Sequence, residues 1–416
     1  MQADIIIKNA EELLTCAAAA SENGPAPKRG DELKDLGLIA GGALAIKDGR
    51  IEFVGRTDDL GDWQATETID AAGKVVMPGY VDCHTHLVFG GSREKDLLRK
   101  LRGDSYLEIL KQGGGILSTV EQTRAASADE LFAAGMKHLD TMLALGTTTV
   151  EVKSGYGLNP ETERKILEVA ARLEQAHPMD IVTTYLGAHT IPKEKTKDEY
   201  IAEVLDSLEA MKPLAEFCDI FCEEGVFTFE ETRRILTAAK ECGYRLKIHA
   251  EQMNTLHGAE LAAELDAVSA DHLDHIAPEG IAQMADSDTV GVLLPAVPFY
   301  LMMSKYAPAR EMIDQGMALA LATDFNPGSC PCESMSLMLT FACLQLKLLP
   351  SEAINCATIN AAFAIDRGAV IGSLEQGKQA DVLIFDAPNH ETLPYRFGRN
   401  LVEGVIKKGV VMQVNS

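Results

Sequence analysis

His84 and His86 stand two residues apart at the end of the apolar run Met77-Pro78-Gly79-Tyr80-Val81-Asp82-Cys83. Side chains alternate faces along an extended strand, so the two imidazoles point the same way. Two imidazoles on one face are half of a metal site, and imidazole suits zinc and iron(II) among the divalent ions. An ordinary edge strand can carry the same pair on its wet face, so the rest of the chain has to decide. Downstream, His189 closes Tyr185-Leu186-Gly187-Ala188-His189, His249 follows Lys247-Ile248, His272 follows Asp271, and Asp324 follows Ala322-Thr323. Each falls at the end of a strand-like run. Five of the chain's ten histidines sit in such places, more than chance placement supplies. A metal ion held there would lower the pKa of its water from ~15.7 to about 7, giving a nucleophile for hydrolysis at neutral pH.

The elements that must position these residues alternate between short apolar runs and helical patterns, from His84 to about Ala364. After the strand bearing His84, strands are expected over 147–152, 181–186, 218–221, 244–248, 267–270, 290–294 and 318–322. Helix starts punctuate them. Ser127-Ala128-Asp129-Glu130 is a capping box, Asn159-Pro160 a cap followed by proline, and Thr228 with Glu231 a second box. Eight strands alternating with helices predict an α/β fold, a (β/α)8 TIM-like barrel, whose chemistry sits at the carboxyl ends of its strands. No GxGxxG follows the first strand, which argues against a doubly wound sheet. The run Gly113-Gly114-Gly115 lacks the lysine of a phosphate loop and reads as a flexible loop over the site. Both termini have a different texture. Short strands over 4–8, 42–46 and 51–54, with the hairpin signal Asp48-Gly49 between the last two, are echoed at 380–385 and 402–411. The two ends are expected to pair into a small β-sandwich domain, residues 1–76 and 366–416, around a barrel domain of residues 77–365. The polar stretch 18–35 reads as a surface loop.

Composition narrows the partners. At 46% hydrophobic residues, the 416-residue chain can bury a large core. A formal net charge of -24 argues against nucleic acid or an anionic membrane, and obliges any anionic substrate to find a local cation. Nine cysteines without a repeating spacing point to a reducing, cytoplasmic setting. No apolar run approaches the ~20 residues of a membrane span.

The motif Pro78-Gly79-Tyr80-Val81-Asp82-Cys83-His84-Thr85-His86, with a histidine after strand five and an aspartate after strand eight, resembles the amidohydrolase superfamily. Within it, four segments together resemble the imidazolonepropionase family over nearly the whole chain. They are His84 to Arg93, Glu151-Val152-Lys153-Ser154-Gly155-Tyr156-Gly157-Leu158, Tyr185 to His189, and Ala322 to Ser329. That resemblance implies hydrolysis of the cyclic amide of 4-imidazolone-5-propanoate to N-formimidoyl-L-glutamate in histidine degradation. Binuclear members carry a carboxylated lysine after strand four, where this chain reads Cys218-Asp219-Ile220-Phe221-Cys222-Glu223-Glu224. Lys153 ends strand two, the wrong place for a bridge. The resemblance therefore implies one divalent or trivalent ion, zinc or iron, held by His84, His86, His249 and Asp324.

Asp324, a carboxylate beside that ion, is the natural base for the water. His272 is assigned to polarise the carbonyl, and His189 to similar work or to holding the ring. Arg93 supplies the cation for the substrate's propionate, its planar fork matching a carboxylate. Tyr156, and the backbone around Asn326, Gly328 and Ser329, carry over as substrate contacts, with Tyr106 in a loop that could cover the pocket. Superfamily deaminases generally place a glutamate three residues after the strand-five histidine. Here Gln252 stands there, and an amide cannot shuttle a proton. The competing readings are a deaminase or hydrolase of another heterocycle, and a non-catalytic scaffold of the same fold. Gln252 counts against the first and four convergent ligands against the second. Of the five remaining histidines, His138, His257 and His275 are taken as structural. A homodimer is the default state for such an enzyme, and the resemblance points the same way.

Overall fold

The computed structural model describes residues 1–21, 24–103 and 114–412; Tyr106 and Gly113 lie outside the described residues. Eight parallel strands follow one another in chain order: Tyr80–Asp82, Thr147–Lys153, Asp180–Ala188, Phe217–Cys222, Arg245–Ala250, Ser269–His272, Val290–Leu293 and Leu319–Leu321. Almost every residue in them is buried, as a sheet covered on both faces requires. Helices begin where the caps lie. Ser127, Asn159 and Thr228 each accept a hydrogen bond from the backbone three residues on, Ser127 and Thr228 within reciprocal boxes.

The ring closes just beyond the first and last strands. Asp324 N donates to the His84 carbonyl at 3.0 Å, and His86 N donates to the Phe325 carbonyl at 2.9 Å. Buried Asp82 secures the seam, accepting from Thr323 N at 3.0 Å and Thr323 Oγ1 at 2.6 Å. Burial pushes this carboxyl up to about 6 against the pull of those two bonds. Asp82→Ala strands both Thr323 donors in the core and is expected to cost about 2–4 kcal/mol in urea denaturation.

The termini form one branched eight-stranded sheet. Its first strand, Gln2–Leu14, is bulged between Ile7 and Ala10, at Asn9 with φ 61°. Its first half pairs with Gln64–Asp70 and its second half with Val75–Pro78, the segment that also pairs with Val382–Phe385. The bend turns the two halves toward each other. Ile5, Ile7, Leu44 and Ile51 from one half share an apolar cluster with Val76, Val382, Ile384 and Ile406 from the other. Asp48 and Gly49, with φ of 50° and 75°, make the two-residue turn between Leu38–Lys47 and Arg50–Arg56.

The stretch 18–35 departs from its reading as a surface loop. It forms strands Ala19–Ser21 and Gly24–Ala26 and a short helical turn, Gly30–Lys34. Leu33 and Lys28 are buried, and the side chains of Asn355 and Asn360 bond its backbone. A few anchors in a polar segment were enough to dock it.

Candidate active site

At the carboxyl ends of the strands His84, His86 and His249 converge, each offering a nitrogen within 4.8 Å of the others. Asp324 joins them, its Oδ1 lying 3.4 Å from Nε2 of both His84 and His86. His84 Nε2, His249 Nε2 and Asp324 Oδ1 are buried without a hydrogen-bond partner among the described residues. Buried polar atoms normally find partners. Orphaned donors from imidazole and carboxylate, turned on one point, fit a zinc or iron ion by type and number.

The other edges of two rings are backed by carboxylates. His84 Nδ1 meets Asp271 Oδ2 at 2.6 Å, and His249 Nδ1 lies 2.9 Å from Asp219 Oδ2, though not aligned as a hydrogen bond. Such partners fix the tautomer of a metal-facing histidine. Lys153, Lys247 and Glu151 complete a fully buried ionic layer with these aspartates. The sequence reading gave these aspartates, Glu151 and Lys247 no role, and weighed Lys153 only as a metal bridge. The available signal was charge at inward positions of otherwise apolar strands, Glu151 and Lys153 being two apart.

Backbone strain gathers here. Asp324 has φ 54°, and His272 and Leu273 have φ 78° and 64° in succession, a region L-residues visit at a cost of about 1–3 kcal/mol each. The Asp324 loop is over-determined. Asn326 Nδ2 donates to the Asp324 carbonyl at 2.7 Å and to Ser329 Oγ at 2.7 Å, while Asn326 Oδ1 accepts from Gly328 N and Ser329 N, both at 2.8 Å. Ser329 Oγ in turn donates to Asp324 Oδ2 at 3.1 Å. Oδ2 is thereby held and Oδ1 is left facing the histidines. The Asn326 amide is saturated within the loop, which leaves only its backbone free toward the cavity.

A cavity of about 550 Å³ opens over this centre. His86, His249, Asp324, His189, His272, Arg93, Tyr156, Gln252, Asn326, Gly328 and Ser329 all line it, while His84 lies beneath. Tyr106 is outside the described residues. His275, read as structural, also reaches the cavity, as does Lys100, whose ammonium is held below its usual pKa by burial and then by Arg93. Arg93 Nε donates to buried Asp96 at 2.9 Å, and Asp96 Oδ2 also accepts from Gly115 N at 2.9 Å, tying Gly115 to the cation. The guanidinium lies across Gly328, where a Cβ would stand 2.0 Å from Arg93 Nη1. Tyr156 rides on a loop whose amides at Gly155, Gly157 and Leu158 all donate to Glu163, a holder that no local motif announced.

A barrel that gathers three histidines and an aspartate above its strand ends, joined to a sheet built from both termini, has the build of an amidohydrolase. A profile described as "Amidohydrolase family" matches residues 75–412. An imidazolonepropionase of Alkaliphilus oremlandii is 50% identical over 420 aligned residues, covering 99% of this chain and 98% of that protein. One from Bacillus cytotoxicus is 51% identical over 411, covering 98% and 96%. The chain belongs to the amidohydrolase family, in its imidazolonepropionase branch. Solved structures share the fold. A zinc-bound adenosine deaminase from Xanthomonas campestris superposes with a TM-score of 0.72 at 21% identity, covering 99% of this chain and 93% of that one. Guanine deaminase from E. coli gives 0.71 at 15%, covering 99% of each. Among the described residues no helix is long and apolar enough to cross a membrane.

Proposed function

We propose that this protein hydrolyses the ring amide of 4-imidazolone-5-propanoate to N-formimidoyl-L-glutamate, a step of histidine degradation. The observation that carries this reading is one cavity holding both the orphaned metal-type donor set and the Arg93 guanidinium. A single zinc or iron ion held by His84, His86, His249 and Asp324 would supply a water activated at neutral pH. Asp324 would take the proton of the attacking water as the water oxygen adds to the ring carbonyl carbon. His272 donates a hydrogen bond to the carbonyl oxygen as charge develops there. The C–N bond then breaks, and the ring nitrogen leaves with a proton returned by Asp324. Gln252 positions the ring but carries no proton. Arg93 pairs with the propionate, with Lys100 adding positive charge in an otherwise acidic protein.

The enzyme works as a homodimer in the cytoplasm under this proposal. Supporting the dimer, exposed Phe299 packs with its ring centroid 4.7 Å from that of Phe341, the rings tilted by 41°, on the helix that carries exposed Leu344, and that helix bonds to Pro394 beside exposed Tyr395.

The test is loss of absorbance from freshly generated 4-imidazolone-5-propanoate, with His249→Ala and chelator-treated protein alongside. Turnover confined to the metal-loaded wild type is expected. No turnover by metal-loaded protein would sink the substrate assignment. Gly328→Ala gives a sharper geometric check. Its methyl group must displace the Arg93 guanidinium, and losing a charge-assisted pair worth about 1.5–3 kcal/mol raises KM roughly 10- to 150-fold. The change in kcat should be small by comparison in steady-state kinetics.

A further inference from the structure

Lys153 ends the second barrel strand with its side chain wholly buried. Its Nζ donates to Asp219 Oδ2 at 2.7 Å and Glu151 Oε1 at 3.0 Å, and lies 3.4 Å from Asp271 Oδ2. An ammonium has three N–H donors, and three carboxylates surround this one. The two aspartate oxygens it faces are the same atoms that face the rings. Asp271 Oδ2 is 2.6 Å from His84 Nδ1, and Asp219 Oδ2 is 2.9 Å from His249 Nδ1. One cation thus sits behind two of the three imidazoles. The neighbouring buried ammonium, Lys247, has other partners: Glu151 Oε2 at 2.7 Å and the Cys83 carbonyl at 3.1 Å.

We propose that Lys153 is a positioning residue, whose ammonium clamps Asp219 and Asp271 together so that His84 and His249 present Nε2 to the metal. The inference rests on reading the histidine cluster as a metal site. The argument is electrostatic. Two carboxylates buried near one another repel and are costly to desolvate without a shared cation. With the ammonium between them they stay in place, and each holds its imidazole in one orientation. An ammonium engaged by three carboxylates keeps no lone pair with which to take up carbon dioxide. Lys153 therefore serves the site by charge and geometry, in place of the bridging carbamate found in binuclear relatives.

The experiment uses the full-length protein and zinc alone as probe, in competition with a chelator, with the absorption bands of the cobalt(II)-loaded protein as a second readout. Lys153→Met is expected to weaken zinc binding about 10- to 100-fold and to alter the cobalt bands. Lys247→Met removes a buried ammonium from the same layer and is expected to leave both readouts near wild type. Wild-type zinc retention in Lys153→Met, or an equal loss in Lys247→Met, overturns the proposal. Should Lys153→Met fail to fold, the charge-balanced pair decides. Lys153→Met/Asp219→Asn is expected to bind zinc more weakly than Asp219→Asn alone, because Asp271 has also lost its cation; equal binding overturns the clamp. If the wild-type protein itself retains neither zinc nor iron in dialysis, the metal reading falls and the clamp falls with it.

Discussion

Asp324→Asn is expected to lower hydrolysis of 4-imidazolone-5-propanoate by about 10³- to 10⁴-fold, with folding intact. Two losses combine. The amide cannot take a proton from water, and a positioned general base contributes roughly 10²–10⁴-fold. Oδ1 is also the orphaned oxygen 3.4 Å from both His84 and His86, so a neutral group there weakens the hold on a cation. The surrounding loop should survive. Asn326 bonds the backbone of residue 324 and the amides of 328 and 329, and within this loop the Ser329 hydroxyl bonds the carboxylate itself. Metal content measured beside turnover separates the two losses. A variant with full metal that keeps more than about a tenth of the activity would move the base elsewhere.

Much of this site was legible because barrel architecture converts linear position into place. His84, His86, His249 and Asp324 are far apart in sequence, yet each closes an apolar run, and all four meet. The short-range rules also worked, at the Ser127 and Thr228 boxes and the Asp48-Gly49 turn, because their partners lie within three residues. The ionic layer was hidden for the opposite reason. Lys153 meets Asp219 across 66 residues, and Lys247 meets Glu151 across 96, so no spacing betrays either pair. Around Asn326 the sequence pointed to the backbone; that the amide itself is spent on the loop that aims Asp324 is a pattern no residue type reveals. The segment 18–35 looked loop-like by composition, while Leu33 and the asparagines that grip its backbone decided its fold.

His272→Ala is expected to cut kcat by about 10²- to 10³-fold with little change in KM, whereas His189→Ala should act mainly on KM. The two rings line the same cavity, and the sequence allowed either to polarise the carbonyl. Their hydrogen bonds separate them. His189 Nδ1 lies 3.0 Å from the Gly155 carbonyl, which can only accept, so the ring proton sits on Nδ1. Burial and the neighbouring His86 and His249 hold its pKa well below the usual value, so Nε2 carries no proton. A bare Nε2 cannot stabilise a developing oxyanion; it can accept from a ring N–H and hold the substrate. His272 is also kept neutral by burial, but its Nδ1 has no partner among the described residues, so its tautomer is free to place the N–H toward the carbonyl. The strained backbone at His272 and Leu273 fixes where that donor stands. Steady-state kinetics of both variants at matched metal content decides the assignment. A larger kcat loss in His189→Ala than in His272→Ala would exchange the two roles and place the oxyanion on the strand-three side of the cavity.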